Sequence, residues 1–453
     1  MIPAFISDTM RALMASGYEC YIAGGAVRDT LRGVPVHDYD LTTSALPSET
    51  VKVLEKEGYK NIIDSSSRYG TVVFIDPADH THRVEITTFR SDSDYSDMRH
   101  PDKVTFSTSW EDDAKRRDFT VNALYMDVDG GIKDPVGGEA DIKVGIIRAV
   151  GDPAARFRED ALRILRAIRF QARTGFVIDP DTSSAMENCA SLLKSISAER
   201  VYSELTGILT SPGGPSAIRD NINVLSVIIP ELKVMEGFDQ RSKYHDRDLL
   251  THTLDTLDGI PLDETGVKDT ALAYAALLHD IGKPAVFTVD EDGIGHMKKH
   301  ALEGEKIAER LASELKFSNE LRDEVTELVL LHDNFPFPER RSVKRFMSKM
   351  DKAFCDKLLI LQRADILAHS ELGRKRLELL NQIISIRDQL IMEQPCLTIH
   401  DLSVNGDDLI AIGVREGPII GIILKQVLNL VIDERLNNDK ETIINYIKSE
   451  YQL

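Results

Sequence analysis

The segment GGAVRDTLRGVPVHDYDL, residues 24–41, places paired glycines and spaced aspartates where they constrain the backbone. It follows the apolar run YIA, so the spacing predicts a strand that ends at Gly24 and a helix that begins there. Without Cβ atoms, Gly24 and Gly25 let a phosphate approach the first N–H groups of that helix. The pattern is neither GxxxxGK[ST] nor GxGxxG, so it predicts a phosphate site outside those two loop classes.

Two carboxylates follow these glycines, Asp38 and Asp40. On an extended strand, residues two apart project from one face, so these carboxylates repel each other unless cations lie between them. Oxygen ligands favour Mg²⁺, and two such ions can activate an attacking hydroxyl and stabilise a leaving phosphate. Glu85, in the strand-like run RVEITTF, is available as a third acid. Together these residues favour a catalytic metal site over a solvated turn.

The composition, 42% hydrophobic and 28% charged over 453 residues, is that of a globular protein. A net charge of −19 works against nonspecific affinity for nucleic acid, so a polyanion needs a local basic face. Residues 156–173, with six arginines and two acids, predict such a face. The four cysteines lie far apart, which favours reduced thiols in a cytosol. With no evident export signal or bilayer-spanning run, a cytoplasmic protein without a membrane partner is expected.

The patterns divide the chain into four sections and predict an α+β fold class. Residues 1–145 are predicted to form an α/β head, with strands at YIAGGAV, TVVFID and RVEITTF. Residues 146–210 are predicted to form an all-helical neck, and the prolines and glycines at 212–215 mark the next boundary. Residues 211–370 are predicted to be a helical body, and residues 371–453 a helical tail.

Five ordered motifs resemble those of class II tRNA nucleotidyltransferases, the CCA-adding enzymes and their bacterial poly(A) polymerase relatives. They are GGAVRDTLRG, HDYDL, VEITTFR, RRDFTVNALYMD and GDPAARFREDALRILRAIRFQARTGF. The resemblance implies a nucleotidyltransferase head in which Asp38 and Asp40 bind catalytic Mg²⁺, with Glu85 as the third carboxylate. It also implies a set of nucleotide-binding residues, Gly24, Gly25, Arg28 and Arg117, and two residues that order the site, Asp118 and Asn122.

In this family an EDxxR motif recognises the base, and here it consists of Glu159, Asp160 and Arg163. Cytosine and adenine both present an exocyclic amino donor beside a ring-nitrogen acceptor, which a carboxylate and a guanidinium can bind. Spaced three apart on a predicted helix, Asp160 and Arg163 share a face and can select C or A without a template. Arg166 and Arg169 follow on that helix as further nucleotide-binding residues. The alternative is a helix laced by its own salt bridges, which an excess of four positive charges disfavours.

Downstream, THTLDTL, LAYAALLHDIGKP and LQRADILAH supply the order H…HD…D, which resembles the histidine-aspartate (HD) phosphohydrolase superfamily. The resemblance implies a divalent metal held by four ligands, His252, His279, Asp280 and Asp365. Mixed imidazole and carboxylate ligands suit Mn, Ni, Co, Fe or Zn better than Mg.

A second metal in this HD site would use His300 and His332. His296 and His369 are interpreted as bystanders, and so is His245, although it is near enough to His252 to support it. The resemblance implies phosphodiesterase or phosphatase activity on 2′,3′-cyclic or 2′-phosphate RNA ends.

The function expected from the resemblance is template-independent addition of CCA to the tRNA 3′ end from CTP and ATP, with the helical residues 371–453 as a C-terminal tRNA-binding region. The polar segment RSDSDYSDMRHPDK, residues 90–103 with Arg99, is predicted to be a mobile loop. It resembles the family element associated with adding the terminal A, which favours CCA over CC addition.

Three alternatives stay open. A poly(A) polymerase or an A-adding or CC-adding enzyme would share the motifs, although poly(A) polymerases usually carry a basic tail and residues after about 400 are acidic here. An HD nucleotide hydrolase with an RNA-binding front section is an alternative of another class. A noncatalytic tRNA-binding module is the third, and the intact acids disfavour it. The sequence leaves the oligomeric state open.

Overall fold

The computed structural model describes residues 2–36, 38–59, 62–66, 70–75, 83–92 and 104–452. The chain forms two compact units, Met1–Pro230 and Glu231–Leu453. The first unit begins with a mixed region of short strands and helices. Its elements in chain order are α1 (Ala4–Ala15), β1 (Cys20–Ala23), α2 (Gly25–Leu31), β2 (Asp40–Thr43), α3 (Pro47–Lys56), β3 (Ile62–Ser66), β4 (Thr71–Ile75), β5 (Arg83–Thr88), β6 (Arg90–Asp92), β7 (Val104–Phe106), α4 (Trp110–Lys115), a 3₁₀ helix (Thr120–Asn122), β8 (Tyr125–Met126), β9 (Ile132–Lys133), α5 (Gly138–Val144) and β10 (Ile146–Ile147).

A seven-stranded sheet in the order β3-β4-β5-β2-β1-β8-β9 organises this region. All neighbouring strands are antiparallel except β2 and β5, which run parallel with Asp40 opposite Glu85. Leu41 and Ile86, the next residues on these strands, are buried in the core on which α1 packs. Because successive residues of a strand face opposite sides, this burial turns Asp40 and Glu85 outward together.

The three predicted strands of the head are confirmed as β1, β4 and β5. β1 stops at Ala23 because Gly24 turns the backbone into α2. The polar segment departs from its predicted loop conformation at its start, since residues 90–92 form β6 and pair antiparallel with β7. Residues 93–103 of that segment, including Arg99, lie outside the described residues.

The remainder of the first unit is helical apart from a short parallel ladder between β10 and β11. It contains α6 (Pro153–Glu159), α7 (Leu162–Thr174), β11 (Val177–Ile178), α8 (Pro180–Cys189), a 3₁₀ helix (Ala190–Ser195), α9 (Ala198–Thr210), α10 (Gly214–Asp220) and α11 (Ile222–Leu225). The division predicted after residue 210 falls inside this unit. α10 packs on α7 and α9, burying Ile218, so residues 211–230 belong to the first unit.

The second unit is helical except for one small hairpin. Its elements are α12 (Glu231–Met235), α13 (Leu249–Asp258), α14 (Thr270–Leu278), a 3₁₀ helix (Pro284–Val286), β12 (Thr288–Val289), β13 (Gly295–His296), α15 (His300–Glu314), α16 (Asn319–Leu331), α17 (Arg340–Met347), α18 (Lys352–Ala368), α19 (Glu371–Arg374), α20 (Arg376–Met392), a 3₁₀ helix (Ile399–Asp401), α21 (Gly406–Ala411), α22 (Pro418–Ile432) and α23 (Lys440–Tyr451).

Helix α14 lies at the centre of this unit, where it contacts α13, α16 and α18. All its residues after Thr270 are buried, as expected for a helix that is apolar on every side. Helices α21, α22 and α23 share a separate apolar cluster that includes Leu409, Val427 and Ile443. The observed strands and helices confirm the predicted α+β fold class. Across the described part of the chain, no helix combines the length and apolarity needed to cross a membrane.

Candidate functional site

A cleft of about 480 Å³ in the first unit brings together most of the nucleotide-site residues predicted from the sequence. The predicted residues that line it are Gly24, Gly25, Arg28, Asp38, Asp40, Arg117, Asp118, Asn122, Asp160, Arg163, Arg166 and Arg169. Glu85 is not one of the lining residues. It lies opposite Asp40 in the parallel pairing of β2 with β5.

Asp38 and Asp40 are both exposed, whereas Tyr39 packs against the core of the head. The predicted alternation therefore holds, although the strand is shorter than predicted and only Asp40 belongs to it. Although Asp40 is exposed at the surface of the cleft, its carboxylate lies among protein atoms that displace water, and this desolvation raises its pKa; the negative charges of Glu85 and Asp38 raise it further, against an opposing effect of Arg117. Among the described residues, sets of three potential ligand atoms within 4.8 Å of one another occur only in the second unit, so these acids do not form a closed cage.

Gly24 has a backbone conformation that only glycine adopts without strain. Its φ of +71° and ψ of −126° end β1 and precede the first turn of α2. A Cβ at this position would lie 3.3 Å from Nη1 of Arg117. The absence of a side chain at Gly24 therefore permits both the turn of the backbone and the close approach of the Arg117 guanidinium.

Arg117 is held in place by a buried anion outside the predicted site residues, Asp113. Nε and Nη2 of Arg117 donate to Oδ2 of Asp113 at 3.2 and 3.1 Å, and the Tyr125 hydroxyl donates to the same oxygen at 2.8 Å. Burial alone would raise the pKa of Asp113, but Arg117, Arg116 and the Tyr125 hydroxyl lower it to about 2. The sequence feature that could have indicated this ion pair is the position of Asp113 three and four residues before Arg116 and Arg117.

Arg28 is more buried than expected for a ligand-binding arginine, with 3% of its surface exposed. Its Nε and Nη2 donate to the two carboxylate oxygens of Asp29 at 2.9 and 3.0 Å. Its Nη1 donates to Oδ1 of Asn122 at 2.7 Å. Three of its five N–H groups are thus committed to these two neighbours.

Asp118 and Asn122 link Arg28 to the arginines of α7. Nδ2 of Asn122 donates to Oδ1 of Asp118 at 3.3 Å, and Nε of Arg166 donates to Oδ2 of Asp118 at 2.8 Å. Burial would raise the pKa of Asp118, but its partners, chiefly Arg166, lower it. This series of hydrogen bonds links Arg28 on α2 to Arg166 on α7.

The predicted single helix through Asp160 and Arg163 is interrupted. α6 ends at Glu159, Asp160 is extended with φ −144° and ψ 101°, and α7 begins at Leu162. At this break, Oδ1 of Asp160 accepts a hydrogen bond from the N–H of Leu162, the first residue of the new helix, at 3.1 Å. Asp160 and Arg163 both line the cleft, but they do so from a helix junction rather than from one helical face.

Helix α9 supplies partners for both sides of this junction. Nη2 of Arg200 donates to Oδ2 of Asp160 at 2.8 Å, and one turn later Oε2 of Glu204 accepts from Nε of Arg169 at 2.6 Å. A Cβ at Gly207 would lie 2.5 Å from Cδ of Arg169, so the glycine leaves room for that side chain. Arg200 and Glu204 were not predicted as site residues, because they lie outside the arginine-rich run.

Five of the six arginines in residues 156–173 lie within 4.0 Å of an acidic oxygen, so acids compensate most of the expected charge excess. Arg163 donates to Glu159 at 2.8 Å, Arg166 pairs with Asp118, and Arg169 pairs with Glu204. Most of these acids come from other elements, which composition within residues 156–173 could not show.

Three arginines of the cleft also surround an aromatic ring. The guanidinium carbons of Arg28, Arg166 and Arg169 lie 5.3, 5.4 and 5.0 Å from the ring centre of Phe170.

A second candidate site lies in the second unit, where the six predicted ligands form two overlapping groups. The first group is His252, His279, Asp280 and Asp365, and the second is Asp280, His300 and His332. Within each group the potential ligand atoms lie within 4.8 Å of one another.

Asp280 joins the two groups through its two oxygens. Its Oδ2 lies 3.4 Å from Nε2 of His252 and 3.2 Å from Nε2 of His279. Its Oδ1 lies 3.4 Å from Nε2 of His300 and 3.6 Å from Nε2 of His332. A carboxylate placed in this way can bridge two cations.

Backbone carbonyls fix the orientation of these imidazoles. Nδ1 lies 2.9 Å from Ala276 O in His279, 3.0 Å from Met297 O in His300 and 2.6 Å from Val329 O in His332. A carbonyl only accepts, so each Nδ1 carries a proton and each Nε2 is the nitrogen that is directed inward and available to a metal ion. The Nε2 atoms of His252 and His279 face each other at 3.3 Å, and those of His300 and His332 at 3.2 Å. Facing Nε2 atoms call for a proton or a metal ion between them.

The charges in the second site favour a cation. Burial would lower the pKa of His279, but Asp280 and Asp365 raise it to about 10. The pKa values of both carboxylates lie well below the usual range, because the neighbouring cationic groups outweigh their burial. Lys283 is one of those groups, with its Nζ 2.5 Å from Oδ2 of Asp280.

The three histidines interpreted as bystanders have different environments. His296 pairs with Asp290 on the β12–β13 hairpin. His245 packs against His252 with ring centres 4.9 Å apart, in line with its expected supporting position. His369 also lies outside both ligand groups, with its ring 5.0 Å from that of His252 and its Nδ1 2.7 Å from the backbone oxygen of Asp365.

Three family models match the chain. They are the "Poly A polymerase head domain" over residues 20–148, the "Probable RNA and SrmB- binding site of polymerase A" over residues 175–235, and "tRNA nucleotidyltransferase domain 2" over residues 300–447.

Some curated relatives are similar to this chain over nearly its whole length, and others have a higher sequence identity over about half of it. A CCA-adding enzyme of Lacticaseibacillus paracasei is 32% identical over 439 residues, covering 96% of this chain and 93% of the relative. A CCA-adding enzyme of Levilactobacillus brevis is 46% identical over 211 residues, covering 47% of this chain and 51% of the relative. In that second alignment the chain spans about half the length of the relative it matches.

A solved structure shows the same architecture. It is the Bacillus stearothermophilus CCA-adding enzyme in complex with CTP, with a TM-score of 0.73 and 27% identity. The alignment covers 100% of this chain and 98% of that one.

Proposed function

Because this chain belongs to the CCA-adding enzyme family, we propose that it adds CCA to the 3′ end of tRNA from CTP and ATP without a template. The observation that carries the proposal is the cleft of the first unit, which holds Asp38 and Asp40 together with Asp160 and Arg163. Two carboxylates suited to a metal ion, and an acid–arginine pair suited to a nucleobase, thus line one cleft of about 480 Å³. The similar enzyme of Bacillus stearothermophilus has been solved with CTP.

Asp38 and Asp40 are the cleft residues that would hold Mg²⁺, with Glu85, opposite Asp40 on the neighbouring strand, as the third carboxylate. Their chemistry fits that ion, because all are oxygen donors and because the pKa of Asp40 is raised by burial and by the charges of Glu85 and Asp38. A divalent cation relieves this repulsion. When bound, Mg²⁺ supplies neutralisation of the triphosphate and acidifies the attacking hydroxyl.

The protein contributes position and fixed charge to nucleotidyl transfer. Gly24 opens the backbone beside Arg117, and Asp113 keeps that guanidinium in place for a phosphate. The tRNA 3′-hydroxyl attacks the α-phosphorus, the bond to the β-phosphate oxygen breaks, and pyrophosphate leaves. Such placement of charge is the main source of rate enhancement in phosphoryl transfer.

The junction between α6 and α7 would select the base. Asp160 would accept a hydrogen bond from the exocyclic amine of cytosine or adenine, and Arg163 would donate to the adjacent ring nitrogen. Arg200 fixes the carboxylate of Asp160, and Glu159 fixes the guanidinium of Arg163. Uracil and guanine present the opposite pattern and could not make these two contacts with the base.

The test is nucleotide incorporation into a tRNA transcript that lacks its CCA end. We expect two additions with CTP alone, three with CTP and ATP together, and a tRNA that ends in CCA. Incorporation of many adenosines with ATP alone, and of none with CTP, would establish a poly(A) polymerase instead.

Acid-to-amide variants test the assignment of the metal-binding residues. Asp38→Asn and Asp40→Asn should each abolish addition, because either change removes a carboxylate from the cleft. Asp129→Asn is the matched control, since Asp129 is an exposed acid of the same region whose side chain is 84% accessible. Equal loss of activity in all three variants would contradict the assignment.

We also propose that the second unit is an HD phosphohydrolase domain with a divalent transition metal. The supporting observation is the pair of ligand groups that share Asp280, with histidine Nε2 atoms directed inward. This donor set fits Mn, Ni, Co, Fe or Zn, which supply the Lewis acidity that makes a hydroxide nucleophile available near neutral pH. The substrates implied by the family resemblance are 2′,3′-cyclic or 2′-phosphate RNA ends, whose P–O bond is cleaved by addition of water.

Metal analysis and phosphodiesterase assays test this second function. Wild-type protein loaded with Mn²⁺ or Ni²⁺ should retain metal and hydrolyse a 2′,3′-cyclic nucleotide. His279→Ala and Asp280→Asn should lose both properties and keep CCA addition. His296→Ala is the matched control because His296 lies outside the ligand groups. A wild-type protein that retains no metal after loading would refute the proposal.

A further inference from the structure

The loop between α12 and α13 carries a buried glutamine beside the ligand groups of the second unit. Gln240 is 1% exposed, and its Oε1 accepts a hydrogen bond from Nζ of Lys283 at 2.8 Å. The same Nζ lies 2.5 Å from Oδ2 of Asp280. The ammonium group therefore links the Gln240 amide directly to the carboxylate shared by both ligand groups.

The orientation of this amide follows from chemistry. An ammonium can only donate, so the end of the amide that faces Lys283 must be the oxygen. The other end, Nε2, is then a donor, and it is buried without a hydrogen-bond partner among the described residues. A buried donor without an acceptor costs free energy, so this N–H is a position at which an added acceptor would be favourable.

The backbone around Gln240 is fixed from outside. A Cβ at Gly295, on the β12–β13 hairpin, would lie 2.2 Å from the carbonyl oxygen of Gln240. The Gly295 N–H donates to Arg241 O at 3.0 Å. These contacts favour a preformed position for the amide rather than one created when a ligand binds.

We propose that Gln240 is a substrate-binding residue of the second unit, whose Nε2 donates to a nonbridging oxygen of a phosphate ester while its Oε1 holds Lys283 beside Asp280. A phosphate oxygen is the matching acceptor, because it is anionic and belongs to the ester class on which such a metal centre acts. The inference rests on the proposed hydrolase function and adds the residue that orients its substrate.

Two substitutions separate the two ends of the amide. Gln240→Glu keeps an acceptor for Lys283 and removes the donor, whereas Gln240→Met removes both. Gln362→Met is the matched control, because Gln362 is equally buried and its Nε2 already donates to Asn334 O at 3.1 Å. The probe is inorganic phosphate, titrated into Mn²⁺-loaded full-length protein, with metal content measured in parallel.

We expect Gln240→Glu to keep its manganese and to bind phosphate about tenfold or more weakly, the loss that corresponds to one charge-assisted hydrogen bond. Its KM for a 2′,3′-cyclic nucleotide should rise, and Gln362→Met should match the wild type in both measurements. Wild-type phosphate affinity in metal-loaded Gln240→Glu would overturn the proposal. A wild type without bound metal would instead refute the hydrolase function itself.

Discussion

At the scale of single residues, the cleft of the first unit depends on side chains that fix the orientation of other side chains. Asp113 holds Arg117, and Asp118 with Asn122 links Arg28 to Arg166. The sequence motifs identified the residues that face the cleft but not Asp113. Its role depends on burial, which a pattern of charges does not reveal.

Gly24→Ala should weaken both stability and nucleotide binding. The positive φ should cost about 1–3 kcal/mol of unfolding free energy, and the new Cβ would press on Arg117. The KM for CTP should therefore rise. Gly17→Ala is the control, because Gly17 has φ +89° and a Cβ added there would meet no atom within 4 Å. It should lose stability and keep its KM, and a raised KM in both variants would contradict a specific effect on Arg117.

The Asp113 carboxylate should contribute acid sensitivity to the first unit. Its pKa is about 2 in the folded chain and near 3.8 in the unfolded chain, so its stabilisation is complete above pH 4. Roughly 2 kcal/mol should be lost as the pH falls from about 4 to 2. In chemical denaturation, Asp113→Asn should show a flatter pH dependence than the wild type over that window. Identical slopes would show that Asp113 titrates normally.

At the scale of elements, helix α9 positions residues that belong to other helices. Arg200 and Glu204, one turn apart, bind Asp160 at the α6–α7 junction and Arg169 on α7. This arrangement replaces the single continuous helix expected from the sequence. Asp160 lies between α6 and α7, where its Oδ1 accepts from the Leu162 N–H and its Oδ2 accepts from Arg200.

Arg200→Met should impair base selection more than folding. Without the guanidinium, Oδ2 of Asp160 loses a 2.8 Å hydrogen bond and its fixed direction. We expect kcat/KM for CTP to fall about tenfold, and the ratio of CTP to UTP use to fall with it. Arg158→Met on the exposed side of α6 is the control and should be unchanged. Preserved CTP preference in Arg200→Met would argue against this role of α9.

The elements of the head could be predicted because short runs of β-branched residues alternate with helical periodicity, as at TVVFI in β4. The break at Asp160 could not, since the same charges and spacing occur in continuous helices. The residues that form the ligand groups of the second unit could be predicted from the H…HD…D order and the histidines near it. Their sharing of Asp280 could not, because it depends on how α14, α15 and α16 pack.

At the scale of the whole molecule, the chain contains two compact units, each with a candidate site of different donor chemistry. Carboxylates and arginines line the cleft of the first unit, and histidines with carboxylates form the ligand groups of the second. The boundary lies after Pro230 rather than near residue 210, because the apolar residues of α10 and α11 complete the first core. Proline and glycine at 212–215 marked a turn within a unit, which sequence alone cannot distinguish from a linker.

Ligand-induced thermal shifts should separate the two sites. Mn²⁺ added after chelation should raise the Tm of the wild type, because a bound ligand stabilises the folded state. Asp280→Asn should abolish the Mn²⁺ shift and keep the shift caused by CTP with Mg²⁺. Asp40→Asn should do the reverse. Loss of both shifts in either variant would contradict independent sites.

The parallel pairing of β2 with β5 sets Asp40 beside Glu85 although α3 and the β3–β4 hairpin intervene in the chain. Insertions or deletions within that intervening segment leave the spacing of the two acids intact. A slip of β5 by a single position would instead point Glu85 into the core and expose Ile86. The number of residues between the strands can therefore change without moving the two acids apart, provided that β5 keeps its register with β2 and its pairing with β4.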